Sequence, residues 1–411
     1  MKIPITKPVI DECEKEKVLK VLESGWFVQG KNVAEFEKLF AEFTGSKYAV
    51  ATTSCTTALH LGLESLGIGK GDKVIVPSFT YIASANAVEY TQAEVVFCDI
   101  DLKTFNIDEN MLEEILEKDK SIKAIMPVNL FGLCANLPKI VEIANKYNVK
   151  IIEDSACGFD SWIDDKHSGT FGNIGCFSFH PRKPITTGEG GMLITDNEKI
   201  AEKVRILRDH GAEKSDLERH KAGGSLLPDF KVRGYNYRMT DLQGAIGVCQ
   251  IKKSKKIMKE RRKIATWYFK ALEENHLNGT KLSDYLIPPF TPKGFKHNYQ
   301  SFVCLYTGGT DLFNLINKYK NDTNKLKEIV DKINLKRNLF MKKLEELGVS
   351  SRQGTHAVHT LTYYKNKYNL NNQDYIMSYI ADRLSIALPL YVGMKEEEFN
   401  YVINTIKKVL D

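Results

Sequence analysis

Between Lys47 and Asp196 the chain alternates short apolar runs with amphipathic stretches of helical period. The runs are Tyr48–Val50, Lys73–Val76, Ala93–Cys98, Ala124–Val128, Val149–Ile152 and Gly175–Phe179, and the helical patterns Thr57–Leu66, Tyr81–Tyr90, Met111–Leu116 and Pro138–Tyr147 fall between them. Runs of that length separated by helical segments predict βα units, and so an α/β fold with a mainly parallel sheet covered by helices on both faces. Ligands of such sheets bind in the crevice beyond the carboxyl ends of the strands. Asp154 and Lys183 both follow strand-like runs, so both are expected to face that crevice.

Past Asp241 the period changes. Leu242, Ala245, Ile246, Val248, Cys249 and Ile251 begin a spacing that continues to Leu272, which predicts one long helix leading into a second domain. The boundary is placed near residue 250, giving domains of residues 1–250 and 251–411, as expected for a chain larger than one ordinary core. Gln300–Tyr306 and Ser385–Leu390 read as strands or strand ends, and Phe399–Leu410 as a closing segment. The Lys- and Asn-rich stretch Asp311–Lys336 reads as inserted, solvated helical material. No internal repeat or low-complexity linker interrupts the chain.

Composition narrows the functional classes. Hydrophobic residues make up 43% and charged residues 27%, as in globular proteins. No apolar run approaches the roughly eighteen residues of a membrane span. Met1–Pro8 lacks the apolar stretch of a secretory signal, so a cytoplasmic location without membrane attachment is expected. The net charge of +6 is a small excess of 58 basic over 52 acidic side chains; it describes a mixed surface and gives no reason to expect a nucleic-acid partner. The eight cysteines are scattered without a C-x-x-C pair and read as reduced, mostly buried residues, with no metal site expected.

The most informative stretch is Gly175-Cys-Phe-Ser-Phe-His-Pro-Arg-Lys-Pro-Ile-Thr-Thr-Gly-Glu-Gly-Gly191, in which Lys183 lies between a short apolar strand and a glycine-rich turn. Upstream, Val149–Asp154 reads as a buried strand ending in acid. An amine that can join an aldehyde and a carboxylate that keeps a pyridine nitrogen protonated are what pyridoxal phosphate (PLP) requires. Taken singly, a lysine before proline is usually a surface residue, and a strand-end aspartate is usually a cap.

These segments, with Ser24–Gly30, the block Tyr48–Asn86, Glu153-Asp154-Ser155-Ala156 and Gly234-Tyr-Asn-Tyr-Arg-Met-Thr240, make the chain resemble the DegT-type nucleotide-sugar aminotransferases, a branch of the fold-type I PLP enzymes. The resemblance implies a large domain with a mainly parallel, seven-stranded type of sheet flanked by helices, and a smaller α+β C-terminal domain. It makes Lys183 the cofactor-bearing amine and proton shuttle, with a pKa lowered enough to act as a neutral base, and Asp154 the partner of the pyridine nitrogen. Ser178 and the turn Ser54-Cys55-Thr56 take the cofactor phosphate, with Cys55 where the family usually has glycine. Tyr81 stacks on the ring, with Phe79 as the competing aromatic. Cys157 stands where the family commonly has Gln or His near the ring oxygen. Asn236 reaches the phosphate in the neighbouring subunit, which implies a homodimer with shared sites. Trp26, Phe27 and Gln29 cover the sugar, and His356 or His359 borders it. The implied activity is transfer of an amino group from an amino acid, by family habit L-glutamate, to the ketone of a nucleotide-linked keto-deoxysugar, at C4 by likeness to perosamine synthases. Two alternatives remain open at this point: a PLP-dependent sugar dehydratase, a branch that carries histidine in place of the lysine, and a catalytically silent PLP-binding regulator.

Overall fold

The computed structural model describes residues 1–213, 229–230, 232–277 and 279–411. Its centre is a seven-stranded sheet of Tyr48–Thr52 (β1), Lys73–Pro77 (β2), Glu94–Cys98 (β3), Ile122–Ile125 (β4), Lys150–Asp154 (β5), Ile174–Ser178 (β6) and Gly191–Thr195 (β7), in the spatial order β1-β7-β6-β5-β4-β2-β3. From β6 to β3 every pairing is parallel, and β7 runs antiparallel to both its neighbours. The apolar runs are continuous because both faces of the sheet are covered, so inward and outward side chains are alike buried. Val50, Val74, Val76, Ile152, Cys176 and Leu193 pack with the helix Cys55–Ser65 on one face. Ala49, Ala51, Phe177, Phe179 and Ile194 pack with Phe36 and Phe40 of the helix Lys31–Thr44 on the other. The fold is thus the α/β architecture that the alternation predicts.

The long helix is Asp241–Glu274, and it runs unbroken through position 250. Thr240 caps it in a reciprocal pair with Gln243. Asp241 is buried, and its carboxylate accepts the backbone N–H groups of Asn32 and Val33 at 2.9 and 3.0 Å, which puts a negative charge at the start of the helix Lys31–Thr44. The two helices approach closely because Gly244 and Gly247 face the contact. A Cβ at Gly247 would lie 2.6 Å from the Phe36 ring, and one at Gly244 would lie 2.6 Å from the Val33 nitrogen. The far half of the long helix enters a separate apolar core. There Tyr268 stacks on Phe302 at 4.7 Å and donates to the Pro389 carbonyl at 2.7 Å. That core holds an antiparallel three-stranded sheet of Leu286–Ile287, Phe302–Tyr306 and Ser385–Leu388, with the helices Thr323–Glu346, Ile376–Leu384 and Glu396–Leu410. Asp311–Lys336 is helical, as its composition suggests, in Leu312–Lys318 and the first half of Thr323–Glu346. Among the described residues no helix is long and apolar enough to cross a membrane.

One expectation is overturned. Cys13 and Cys249 form a disulfide, so the cysteines are not all reduced. The helix Glu12–Ser24 lies along the first turns of the long helix, where Glu14 is buried and accepts hydrogen bonds from Gln250 and Lys253 at 2.7 and 2.8 Å. That polar contact fixes the register and brings the two α-carbons to 5.9 Å, within the usual span of a disulfide. A separation of 236 residues hides the pairing from any spacing rule. The protein denatured without reductant should therefore titrate six thiols with Ellman's reagent and eight after reduction; eight in both states would rule the bridge out.

Candidate active site

Three parallel strand ends and the start of the antiparallel strand converge on one edge of the sheet. Asp154 closes β5, with only 4% of its surface exposed. Its Oδ2 accepts from Ser84 Oγ at 2.7 Å, and its Oδ1 accepts from the Ala156 N–H at 3.0 Å. Burial pushes this carboxyl above its ordinary range, and the hydrogen bonds from Ser84 and Ala156 and the charge of Lys183 offset only part of that push.

Lys183 stands in a turn after β6, where its N–H donates to the His180 carbonyl at 2.8 Å. Its Nζ lies 3.1 Å from Cys157 Sγ. Burial lowers the pKa of this amine, but the Cys157 and Cys55 thiols and the Asp154 carboxylate raise it by more, leaving it above its ordinary value. The sequence expectation of a lowered amine is therefore not met. The reason is local: a thiol and a carboxylate share the amine's pocket and favour its charged form.

The turn between β1 and the helix Cys55–Ser65 supplies the third wall. Ser54 caps this helix, accepting from the Thr57 N–H at 3.2 Å while Thr57 Oγ1 accepts from the Ser54 N–H at 3.1 Å. At the start of β7, Gly191 presses against this turn so closely that a Cβ would fall 2.3 Å from the Ser54 carbonyl. Only glycine allows that approach.

Ser54, Cys55, Thr56, Tyr81, Asp154, Cys157, Ser178 and Lys183 all line one cavity of about 430 Å³. Of the two competing aromatics the structure puts Tyr81 on the cavity, 60% exposed, and buries Phe79 completely against Phe105 and Phe131. A larger open depression of about 650 Å³ lies around Gly172, Thr195 and Glu198, away from Lys183 and Asp154. Its lining offers no comparable pairing of amine and buried carboxylate.

The other candidates lie off this cavity. Trp26, Phe27 and Gln29 form a loop whose Trp26 indole donates to the Gln29 carbonyl at 3.3 Å and packs over Gly30, beside Asp241. His356 is exposed, because its strand pairs antiparallel with Phe79–Thr80 and the register turns it outward. His359 is fully buried, with Nδ1 2.5 Å from Ser78 Oγ, and burial pushes its pKa down to about 3. It is a neutral core residue that ties this segment to the end of β2. Asn236 is exposed and bridges Asp209, again outside the cavity of its own chain. Sequence reasoning passed over Ser84, Gln300, Arg182 and Arg352, which either bond Asp154 or line the cavity. A serine on the buried face of a helix that follows a strand was the available signal for Ser84. Among the described residues no cluster of metal-ligating side chains is found.

The family model described as DegT/DnrJ/EryC1/StrS aminotransferase family matches residues 8–291 and 317–407. Most of the stretch read as inserted thus lies within the match, and only residues 311–316 of it fall outside. The chain is 33% identical over 410 residues to a GDP-perosamine synthase of Caulobacter vibrioides, covering 100% of this chain and 98% of that protein. It is 32% identical over 413 residues to the spore coat polysaccharide biosynthesis protein SpsC of Bacillus subtilis, covering 99% and 97%. Among solved structures, the putative sugar aminotransferase Spr1654 of Streptococcus pneumoniae in its PMP form superimposes with a TM-score of 0.86 at 26% identity, covering 100% of this chain and 99% of that one.

The placement of Cys157 has a direct check. Of the six free cysteines five are buried, and Cys157 is half-buried on the cavity wall. Brief treatment of the native, cofactor-free protein with iodoacetamide should label Cys157 before any other thiol. Peptide mapping that finds Cys55 or Cys176 labelled first would contradict this geometry.

Proposed function

The chain belongs to the DegT/DnrJ/EryC1/StrS aminotransferase family, and from that premise we propose that it is a PLP-dependent aminotransferase acting on the keto group of a nucleotide-linked deoxysugar. The observation that carries the reading is the sharing of one cavity by Lys183 and the buried carboxylate of Asp154, at the carboxyl ends of parallel strands. L-Glutamate as donor and C4 as the aminated position are the finer parts of the proposal, supported by likeness to the perosamine synthases.

The donor set suits the cofactor. The site supplies one amine, one buried carboxylate oriented by Ser84 and Ala156, and hydroxyls at a capped helix start beside a glycine that keeps the wall thin. When bound, the pyridine ring of the cofactor supplies an electron sink for the bond broken at the amino-bearing carbon. Asp154 would keep a proton on the ring nitrogen, since a buried carboxylate is satisfied best by a cationic N–H donor. Ser54, Thr56 and Ser178 hydroxyls, with the N–H groups that open the helix Cys55–Ser65, would take the phosphate, and Tyr81, on the cavity wall, would cover one face of the ring. Cys55 sits at the helix start with Sγ 4.0 Å from Asp154 Oδ1, where its small side chain leaves the phosphate turn open. Lys183 Nζ would hold the cofactor and, once freed as the amine, would take the proton from the donor's α-carbon and deliver it within the same half-reaction, the reverse transfer supplying a proton at the sugar carbon. Cys157, in contact with Nζ, influences the charge of that amine between turns of the reaction. The exposed Asn236 reaches the phosphate of a second copy, making the working unit a homodimer with shared sites. Trp26, Phe27 and Gln29, with the exposed His356, frame the sugar in that assembly, and the buried His359 stays a core residue on Ser78.

The reading is tested at Lys183. Borohydride treatment of the cofactor-loaded protein should fix the cofactor on Lys183, and a label mapped to another lysine would remove the assignment. Lys183→Ala should retain cofactor noncovalently and lose amino transfer by at least about 10²–10⁴-fold, the usual worth of a positioned general base. Near wild-type turnover by this variant would overturn the mechanism. Mixing inactive Lys183→Ala and Asn236→Ala homodimers should restore activity in hybrids that carry one intact site; no recovery after confirmed subunit exchange would count against sharing.

A further inference from the structure

One side-chain amide joins two walls of the cavity. Gln250, buried on the long helix, accepts the Thr186 N–H on Oε1 at 3.2 Å, and Thr186 lies in the same turn as Lys183. Its Nε2 donates to the Val9 carbonyl at 2.6 Å and to Glu14 Oε1 at 2.7 Å. Val9 ends an N-terminal strap whose Ile5 and Thr6 line the cavity. The strap is anchored at its other end by the Ile3 N–H on the Gly348 carbonyl at 2.8 Å and by the Leu390 N–H on the Ile5 carbonyl at 3.1 Å. The lysine turn and the strap are therefore tied to each other through Gln250.

Apolar burial does little to hold this arrangement. Of the thirteen residues of the helix Glu12–Ser24, which follows the strap, Glu14 and Val21 are the buried ones, so the hydrophobic effect attaches it weakly. Its ties to the long helix are polar and covalent. Lys253 pairs with Asp11 at 2.9 Å and with Glu14, and Cys13 is bonded to Cys249, the neighbour of Gln250. Cys249 is buried and Cys13 exposed, so the bridge is open to a thiol from the Cys13 side. A dithiol that attacks the Cys13 sulfur expels the Cys249 sulfur, which takes a proton; the second thiol then closes on the first and releases Cys13 as its thiol. Two electrons and two protons pass to the cysteines, and the dithiol leaves as a disulfide.

We propose that Gln250 is a positioning residue for Lys183, and that the Cys13–Cys249 bridge is the clamp that keeps it engaged, so that the redox state of the bridge is read at the reacting amine. The inference deepens the aminotransferase reading and rests on it for the task of Lys183. With the bridge open, the strap and its helix gain freedom, the Gln250 amide loses the fixed partners on its Nε2 side, and the acceptor of the Thr186 N–H is no longer held in one place. Transfer at a positioned amine is sensitive to displacements of about 1 Å.

The test reads the lysine in two ways: the rate at which protein stripped of cofactor attaches added PLP, followed by visible absorbance, and the rate at which reloaded protein converts its cofactor with glutamate. Protein reduced with dithiothreitol and desalted, Cys13→Ser and Gln250→Met should each attach PLP about threefold to tenfold more slowly than oxidised wild type, the usual worth of one hydrogen bond. The saturating rate with glutamate should fall alongside, with the half-saturating concentration unchanged. Cys13→Ser combined with Gln250→Met should be no slower than Gln250→Met alone, because the two act along one path. Tyr268→Phe, which removes a buried bond from the far half of the same helix, should lower Tm and leave both rates as they are. Wild-type rates in Gln250→Met overturn the inference, as do wild-type rates in reduced protein and in Cys13→Ser, or additive effects of the two substitutions. Slowing by Tyr268→Phe equal to that of Gln250→Met reduces the effect to general stability and overturns it too. Attachment rates in the expected order in protein inert to every amino donor would sink the aminotransferase reading and leave the brace standing, whereas attachment mapped to another lysine would sink both.

Discussion

The fold is organised around two consecutive carboxylates at the end of β5 that must both be buried. Strand alternation sends them to opposite faces. Glu153 turns to one side and accepts the N–H groups of Gly169, Phe171 and Gly172 at 2.6, 2.7 and 2.9 Å, together with the Asn129 amide at 3.2 Å. It thereby holds the loop that leads into β6. Asp154 turns to the other and meets Ser84, Ala156 and Lys183. An unpaired buried carboxylate is costly enough that each must keep its donors. The loop before β6 and the helix Ala83–Tyr90 are therefore pinned from the same two residues. The site and the scaffold around it share this constraint, so the carboxylate and the amine of Lys183 line one cavity.

Much of this was legible in the chain. The seven-stranded sheet's strands and the main helices from Tyr48 to Ser178 follow the apolar periodicity within three residues, the run Ala124–Val128 against the strand Ile122–Ile125 being the widest miss, because burial on both faces leaves a clear pattern. Asp154, Ser178 and the Ser54 turn could be placed from the chain because each sits at a strand end or a helix start, where position along an element fixes which edge of the sheet a residue reaches, and Lys183 follows in the turn after β6. The direction of β7 was not, since an apolar run is the same read either way. The Cys13–Cys249 bridge and the Ser84 bond to Asp154 depend on tertiary register between elements far apart in sequence. His356 and His359 show the same limit: three residues apart, one is exposed and the other is a core residue on Ser78, and only the pairing with Phe79–Thr80 decides which.

The two cysteines at the site change its electrostatics more than its shape. Cys55 and Cys157 bring thiols beside Asp154 and Lys183, where burial alone would depress the amine. Together with the Asp154 carboxylate they leave the pKa of the amine above its ordinary value, and Cys157 Sγ, at 3.1 Å, is the side chain that Nζ meets.

The wall that faces Lys183 is built by the C-terminal region, and it is stapled at both ends. Arg352 is bridged to Ala387 in the three-stranded sheet, and His356 and Ala357 pair with Thr80 and Phe79 beside the end of β2. Between these anchors Gln353, Gly354 and Thr355 line the cavity, with Gln353 further held by its bond to Asp382 at 2.9 Å. Gly354 allows the segment to pass: a Cβ there would lie 2.9 Å from the Phe131 ring and from the Ser385 hydroxyl. His359 completes the clamp from below through Ser78. A change in how the C-terminal sheet packs on the long helix would therefore move this wall relative to Lys183, because the segment is tied to that sheet at Arg352 and to the end of β2 at His356 and Ala357.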